Sequence, residues 1–520
     1  MKLIIVHYHL RPGGIRRVIE MAVPPILERM GGASARVVLA TGEAPAADWL
    51  DNFRRSLEPV PVEVRVVRAF GYFSEQRGSV VTLRGKIRAG LRALLVGSDA
   101  GDTHVWAHNL GLGRNLLLTR EAVRACAAQD ITLIVHQHDW WFDNRWQRWP
   151  ELRRCGFRGL PNVADAALPT GGRLAYATIN REDTRILAKH FPGQVHWLPN
   201  PAQQAPAVPV GRMRSARRWL RAQLGSSAPV WIVPCRLLRR KNLAEALLLT
   251  RWLRPEAWLV TTGGASSEDE RPFAKSLADA ARAHCWPLRL GILAGDERDK
   301  PSVGELLAAS EAVLLTSIQE GFGLPNLEAA AATRPLVARR LPNIAPDLDA
   351  LGFRFPQSYD EILIAPGLFD WDAEVQRQER LFRTWLARLP RICRTWAGQP
   401  IVLTQTAPHP TPFSRLTLTA QLEVLRHPTA ASWQACAPLN PFLPTWRKRA
   451  ANGRLQVTPW PRAAAKSLSG PAYAARFAHA VESARARPAN APVSRAAQEE
   501  LIRARLDAAH LFPLLWATET

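Results

Sequence analysis

The sequence predicts an α/β protein with two doubly wound parallel sheets, followed by a mainly helical, Pro-interrupted C-terminal stretch. Three observations carry this. Short β-type runs alternate with amphipathic helical runs from Met1 to about Asn200, a pattern that argues for parallel sheets with helices on both faces. The Pro- and Ala-rich segment "LPNPAQQAPAVPVG" then breaks both periodicities and reads as a linker. After it the alternation resumes. The expected domains are 1–200, 201–370 and 371–520.

In the first domain the strand candidates are Leu3–Val6, Arg36–Ala40, Val62–Val67, Val105–Ala107, Thr132–Val135, Ala175–Ile179 and Val195–Leu198. Helical runs at Ile15–Met30, Val81–Leu95 and Arg114–Ala128 separate several of them. The second domain opens with "RMRSARRWLRAQLG", and its strands end at Val233 or span Trp258–Thr262, Leu288–Ile292 and Ala312–Leu315. Beyond about Asp370, "EVQRQERLFRTWLARL" is amphipathic and Arg-rich, between Pro-rich breaks such as "TAPHPTPF" and "ARPANAPV". It suits packing on the other domains, or lying on a membrane surface.

At 520 residues, with 47% hydrophobic and 22% charged residues, the chain has the length and balance of a multidomain globular enzyme. Its apolar runs are too short or too interrupted by Arg to span a membrane. The start "MKLIIVHYHLRPGG" reads as a first strand, since its apolar core is shorter than that of a secretory signal. A net charge of +23 favours anionic partners. Nucleic acid is not expected among them, because the arginines are dispersed and no zinc-finger or RNA-binding motif is present. Six widely spaced cysteines suggest no disulfide framework, so the expected location is cytoplasmic, extending to the inner face of a membrane.

In α/β sheets ligands bind beyond the carboxyl ends of strands, so the post-strand loops carry the chemical information. "TSIQEGFGLPNLEAAAATRPLVA" places Glu320 in a loop, then Gly321, Phe322, Gly323 and Leu324, then Glu328 in the expected first turn of a helix with Pro325 near its start. Two carboxylates and a helix start suit a polyhydroxylated, phosphorylated ligand. A macrodipole-favoured acid beside a plain glycine turn is the alternative. After Val233, Arg236 and Lys241 offer two cations for a diphosphate, and Arg239 and Arg240 flank them. In the first domain, Gly13–Gly14 opens a helix after strand one, where backbone N–H groups can approach a phosphate or sugar oxygen.

Two further loops carry His108 and Asn109, then His136, His138 and Asp139. In an extended segment His136 and His138 point to one side. They fit a metal pair, satisfied structural histidines or a polar acceptor-side wall. No further His/Cys cluster completes a metal set in the sequence, so no metal is expected. Trp140, Trp141, Phe142, Trp146 and Trp149 fit sugar platforms, core or lid alike.

The acidic motif, with its two glutamates separated by seven residues, resembles the signature of the retaining GT-B glycosyltransferases of the glycogen-synthase-like "group 1" family, glycosyltransferase family 4. The resemblance covers roughly Met1 to Ile364. It implies a GT-B fold with two Rossmann-like domains facing a cleft, and a hexosyltransferase that needs no cofactor beyond its nucleoside-diphosphate-sugar donor. It also implies roles. Glu320 lies by the donor sugar, Glu328 holds the ribose, Arg236 and Lys241 bind the diphosphate, and the Gly14 loop lies between donor phosphate and acceptor. His138, with Asp139 beside it, approaches the transferred sugar. The expected partners are a nucleotide sugar and a carbohydrate or lipid-linked acceptor, with peripheral membrane association allowed. Donor base, sugar and oligomeric state are left open. A GT-B phosphorylase and a non-catalytic protein that binds glycans or anionic surfaces are the rival readings.

Overall fold

In the computed structural model, which describes residues 1–143, 146–204, 206–265, 268–294, 300–486 and 493–516, the chain divides into two units. Unit 1 contains seven parallel strands: β1 (Lys2–Val6), β2 (Arg36–Thr41), β3 (Val62–Val66), β4 (Thr103–His108), β5 (Thr132–Gln137), β6 (Leu174–Thr178) and β7 (Val195–Trp197). They lie in the order β3-β2-β1-β4-β5-β6-β7. The central strands β4 and β5 are buried at every residue, which is why their sequences are near-continuous apolar runs rather than alternating ones. The chain winds outward from β1 to β3 and resumes at β4 on the other side of β1. The switch point therefore lies between β1 and β4.

Unit 2 repeats the design with β8 (Val230–Val233), β9 (Trp258–Thr261), β10 (Leu288–Arg289), β11 (Ala312–Leu315), β12 (Leu336–Arg339) and β13 (Gln357–Tyr359), ordered β10-β9-β8-β11-β12-β13. All pairings within this sheet are parallel. Its switch point lies between β8 and β11. Two Rossmann-like α/β domains are thus present. The sequence pattern missed β12 and β13, because four and three residues bordered by "ARR" and Pro356 are too short to display a period.

The domain boundaries differ from the expectation in one respect. The change of unit falls after Ala202, close to the linker, but residues 371–520 are not one separate extension. Arg388–Trp396 and Ala463–Arg505 join unit 1, and the rest of the stretch joins unit 2. Helix Gly470–Arg485 lies against helix Gly14–Met30 and strands β5 to β7, and it brings Tyr473 and Phe477 into a core with Trp106 and Ile134. A Cβ on Gly470 would stand 2.9 Å from Pro25 Cγ, so a glycine is needed for that approach. In unit 2, helix Leu243–Leu253 is buried on nearly every side, with helices Leu418–Arg426 and Leu443–Ala451 against it. That explains its mostly apolar sequence. The break "ARPANAPV" falls mostly outside the described residues.

No described helix is long and apolar enough to cross a membrane. The six cysteines are all free, and only Cys285 is exposed.

Candidate active site residues

Unit 2 brings two post-strand segments together at its switch point. The segment after β8 ends in a 3-10 turn, Arg239–Lys241, and the segment after β11 runs through Glu320 to helix Leu324–Ala331. Backbone and side chains stitch them together. Ile318 N donates to Arg240 O at 2.8 Å, and Thr316 Oγ1 donates to the carbonyls of Lys241 (2.9 Å) and Asn242 (3.0 Å).

At this seam Glu320 accepts from two cations. Arg240 reaches its Oε2 at 2.7 Å and the Gln319 carbonyl at 2.9 Å, while Lys241 Nζ is bonded to Oε1. Burial would push the Glu320 carboxyl up, but Arg240 and Lys241 outweigh it and hold the group down at about 2. Lys241 is 6% exposed, which a lysine tolerates only when its charge is matched. The cluster therefore sets two basic side chains on one ionised carboxylate.

Arg236, expected beside Lys241, is exposed, and its backbone passes close to Gly263. Arg240, a flanking residue in the sequence, is the second cation paired with Glu320 beside Lys241. Its signal was adjacency to Lys241, which says nothing of side-chain direction in a 3-10 turn.

The turn after Glu320 is set by Gly323, at φ 76°. A Cβ there would stand 2.6 Å from Ile344 Cδ1 and 2.7 Å from Asn326 Nδ2, so the position is closed to other residues on both counts. Asn326 Nδ2 donates to Gly323 O at 3.1 Å, and Asn343 Nδ2 donates to Glu320 O at 2.7 Å. Phe322 is buried at 3% exposure, while Gly321 and Leu324 are half-buried. Helix Leu324–Ala331 starts one residue after Gly323, so Glu328 is its fifth residue and lies past the first turn, not inside it as expected. It is half-buried.

In unit 1, Gly14 is exposed and is the first residue of helix Gly14–Met30, with nothing within 4 Å of where its Cβ would be. His138 and Asp139 follow β5 and are half-buried. Asn109, which the site assignment passed over, positions them. It sits in the left-handed region at φ 57°, donates its N–H to His136 O at 2.8 Å, and with Oδ1 accepts from the backbone N–H groups of His138 (2.7 Å) and Asp139 (3.0 Å). His138 Nε2 lies 3.1 Å from His108 Nδ1. Burial lowers the His138 pKa to about 4 against the Asp139 charge, which raises it. Trp140, Trp141, Phe142 and Trp146 are at most 2% exposed, so these aromatics are core. Trp140 Nε1 donates to Asp183 Oδ2 at 3.0 Å.

No family model matches the chain. A curated relative, the mannosylglucosyl-3-phosphoglycerate synthase of Petrotoga mobilis, is 25% identical over 268 residues, which are 50% of this chain and 50% of that protein. The match thus spans about half the length of the relative. Among solved structures, the E. coli trehalose-6-phosphate structure bound with UDP-2-fluoro glucose superposes with a TM-score of 0.49 at 12% identity, covering 94% of this chain and all of that one. Anabaena Alr3699/HepE in complex with UDP-glucose superposes with a TM-score of 0.48 at 14% identity, covering 87% of this chain and 98% of that one.

Proposed function

We propose that the protein is a hexosyltransferase that moves a sugar from a nucleoside-diphosphate sugar to an acceptor hydroxyl with retention of anomeric configuration. The observation that carries the reading is the triad of Arg240, Lys241 and Glu320 at the switch point of unit 2. In the reaction the bond between the anomeric carbon and the diphosphate oxygen breaks, the acceptor oxygen bonds to that carbon, and the acceptor proton leaves. Negative charge grows on the diphosphate. Fixed cations in a partly dehydrated site stabilise that charge without reorganising, the largest single contribution such a site can make. Arg236 would join them from its exposed position, and the first N–H groups of helix Leu324–Ala331 would add to the field.

Glu320 would face the donor sugar, Glu328 the ribose hydroxyls, and Gly14, His138 and Asp139 the acceptor side. The likeness to the Petrotoga synthase supports glycosyl transfer. Helix Val210–Leu224 supports the further reading of peripheral attachment to an anionic membrane carrying the acceptor. Arg214, Arg217, Arg218 and Arg221 line one exposed face of it, and the helix has no acidic residue. Co-sedimentation with anionic but not zwitterionic vesicles tests that attachment.

The test of the main reading is incubation of the purified chain with a panel of nucleotide sugars, measuring released nucleoside diphosphate. Slow release from one donor is expected, and the product's anomeric proton by NMR reports retention. Phosphate-dependent cleavage of an added glycan to a sugar 1-phosphate, with no diphosphate released from any nucleotide sugar, would identify a phosphorylase instead. Saturable binding with no release would identify a binding protein.

A further inference from the structure

Spacing in the sequence supplies two imidazoles, His136 and His138, and no neighbouring cysteine or histidine to complete a metal set. The fold supplies the third. His108, the last residue of β4, is in direct parallel register with His136 on β5, so the rings of His108, His136 and His138 gather at the carboxyl edge of the sheet. One ring nitrogen from each lies within 4.8 Å of the other two.

His108 is fully buried, and its Nδ1 is 3.1 Å from His138 Nε2. Two neutral imidazole nitrogens this close share either one proton in a hydrogen bond or one cation between their lone pairs. His136 Nε2 lies 3.3 Å from the Leu198 carbonyl, the outer contact by which a ligating imidazole commonly fixes its tautomer. That leaves Nδ1 with the ring's lone pair. The Trp106 indole N–H (3.4 Å) and the Tyr473 hydroxyl (3.5 Å) reach this nitrogen only at long range.

We infer that His108, His136 and His138 form a site for a divalent transition-metal ion of the zinc type, with a fourth coordination position left open. Two nitrogens bound at about 2.0–2.1 Å in a tetrahedron stand about 3.3 Å apart. The His108–His138 separation of 3.1 Å already fits. The wider separations must contract by up to about 1.5 Å, a movement of ring tips rather than of backbone. Neutral imidazole is the ligating form. Asp139 supplies the negative charge felt at His138. Three protein ligands and an open position are the pattern of sites where an ion meets water or a small ligand.

The inference stands independently of the transferase reading, because metal binding is measured without a donor or acceptor. The full chain is stripped with a chelator, dialysed against Zn²⁺, and its metal content measured. One tightly held ion per chain is expected. X-ray absorption of the zinc-loaded wild-type protein should show three imidazole nitrogens at about 2.0–2.1 Å, and the Co²⁺-loaded protein should show the intense visible bands of four-coordinate cobalt. His108→Gln and His138→Gln should each weaken binding by more than about 100-fold, exceeding what loss of an outer-shell partner does. Zinc bound substoichiometrically, or coordinated without imidazole in the wild type, overturns the site. So does a folded His108→Gln protein that binds as tightly as the parent, and the His108–His138 contact is then a hydrogen bond only. If a variant fails to fold, the wild-type absorption spectrum decides.

Discussion

The Glu320 carboxylate is bonded to Lys241 Nζ through one oxygen and lies 2.7 Å from Arg240 through the other, so two of the three basic residues of the post-β8 turn share this counter-ion. Under the proposed function, an incoming diphosphate would compete with that carboxylate for the same donors. Glu320→Gln removes the competitor and keeps the shape. Calorimetry with inorganic pyrophosphate as probe should show tighter binding to Glu320→Gln than to the wild type. Lys241→Ala should weaken it by about 10- to 100-fold, the loss of a hydrogen bond to a charged group. Donor turnover should fall in both. Weaker pyrophosphate binding to Glu320→Gln would remove the triad from the diphosphate site.

Unit 1 carries a built-in sensitivity to acid. Burial lowers His104 and His196 to about 4, with Arg485 adding to the shift at the first and His479 at the second. Their ordinary value is near 6.5. A group with a depressed folded pKa stays neutral in the native protein while the unfolded chain takes up a proton, so its stabilisation is full above about pH 6.5 and is lost as pH falls toward 4. Unfolding at pH 5 should therefore take up about two protons at these sites. Calorimetry in buffers of different ionisation enthalpy measures the uptake, and His104→Gln should reduce it by about one. Release of protons on unfolding at pH 5 would contradict the assignment.

Stability of unit 2 should depend on a polar network at the end of β12 and β13. Arg339 bonds both oxygens of Glu245 at 2.5 and 2.6 Å, Tyr359 OH donates to Glu245 at 2.5 Å, and Glu361 takes the remaining side of the guanidinium. Glu245 is 0% and Arg339 6% exposed. Removing one partner strands the other charge, so Arg339→Met should cost about 3–5 kcal/mol. The double substitution Arg339→Met with Glu245→Leu should cost much less, because no buried charge is left unpaired. Thermal melts of the two singles and the double check this. Equal losses in single and double would mean that packing, not charge, dominates there.

Much of the fold is legible because its central strands are apolar enough to read without alternation and its helices start at recognisable signals, such as Gly13–Gly14 before Ile15. Apart from the short strands β12 and β13, what was not legible has one common cause. Register across strands pairs His108 with His136. Direction of side chains in the 3-10 turn Arg239–Lys241 puts Arg240 on Glu320, while Arg236, before that turn, is exposed. Return of the chain from beyond Ala463 completes the layer over β5 to β7. Each is a relation between distant residues, and local periodicity carries no record of it. Glu320 itself was findable, since its loop, its glycines and its helix are contiguous.

Two candidate glycines, Gly323 in unit 2 and Gly14 in unit 1, separate structural from functional need. Gly323 is required by the fold. A side chain at φ 76° with Ile344 Cδ1 2.6 Å away is strained twice over, so Gly323→Ala should destabilise unit 2 by about 1–3 kcal/mol and displace the Glu320 loop. Gly14 has the opposite surroundings. It is exposed, it is helical, and its added methyl would meet nothing within 4 Å. Replacing a helical glycine by alanine lowers the entropy of the unfolded chain, so Gly14→Ala should leave stability unchanged or raise it by up to about 1 kcal/mol. If the open space above Gly14 is where a sugar or phosphate oxygen comes down on the helix start, the same methyl occupies that space. The expected outcome is a protein that melts at or above the parental temperature while its donor turnover falls by about tenfold or more, the effect of misplacing a reactant by about 1 Å. A Gly14→Ala protein with parental turnover would show that no ligand approaches this backbone, and the acceptor-side reading of Gly14 would be abandoned.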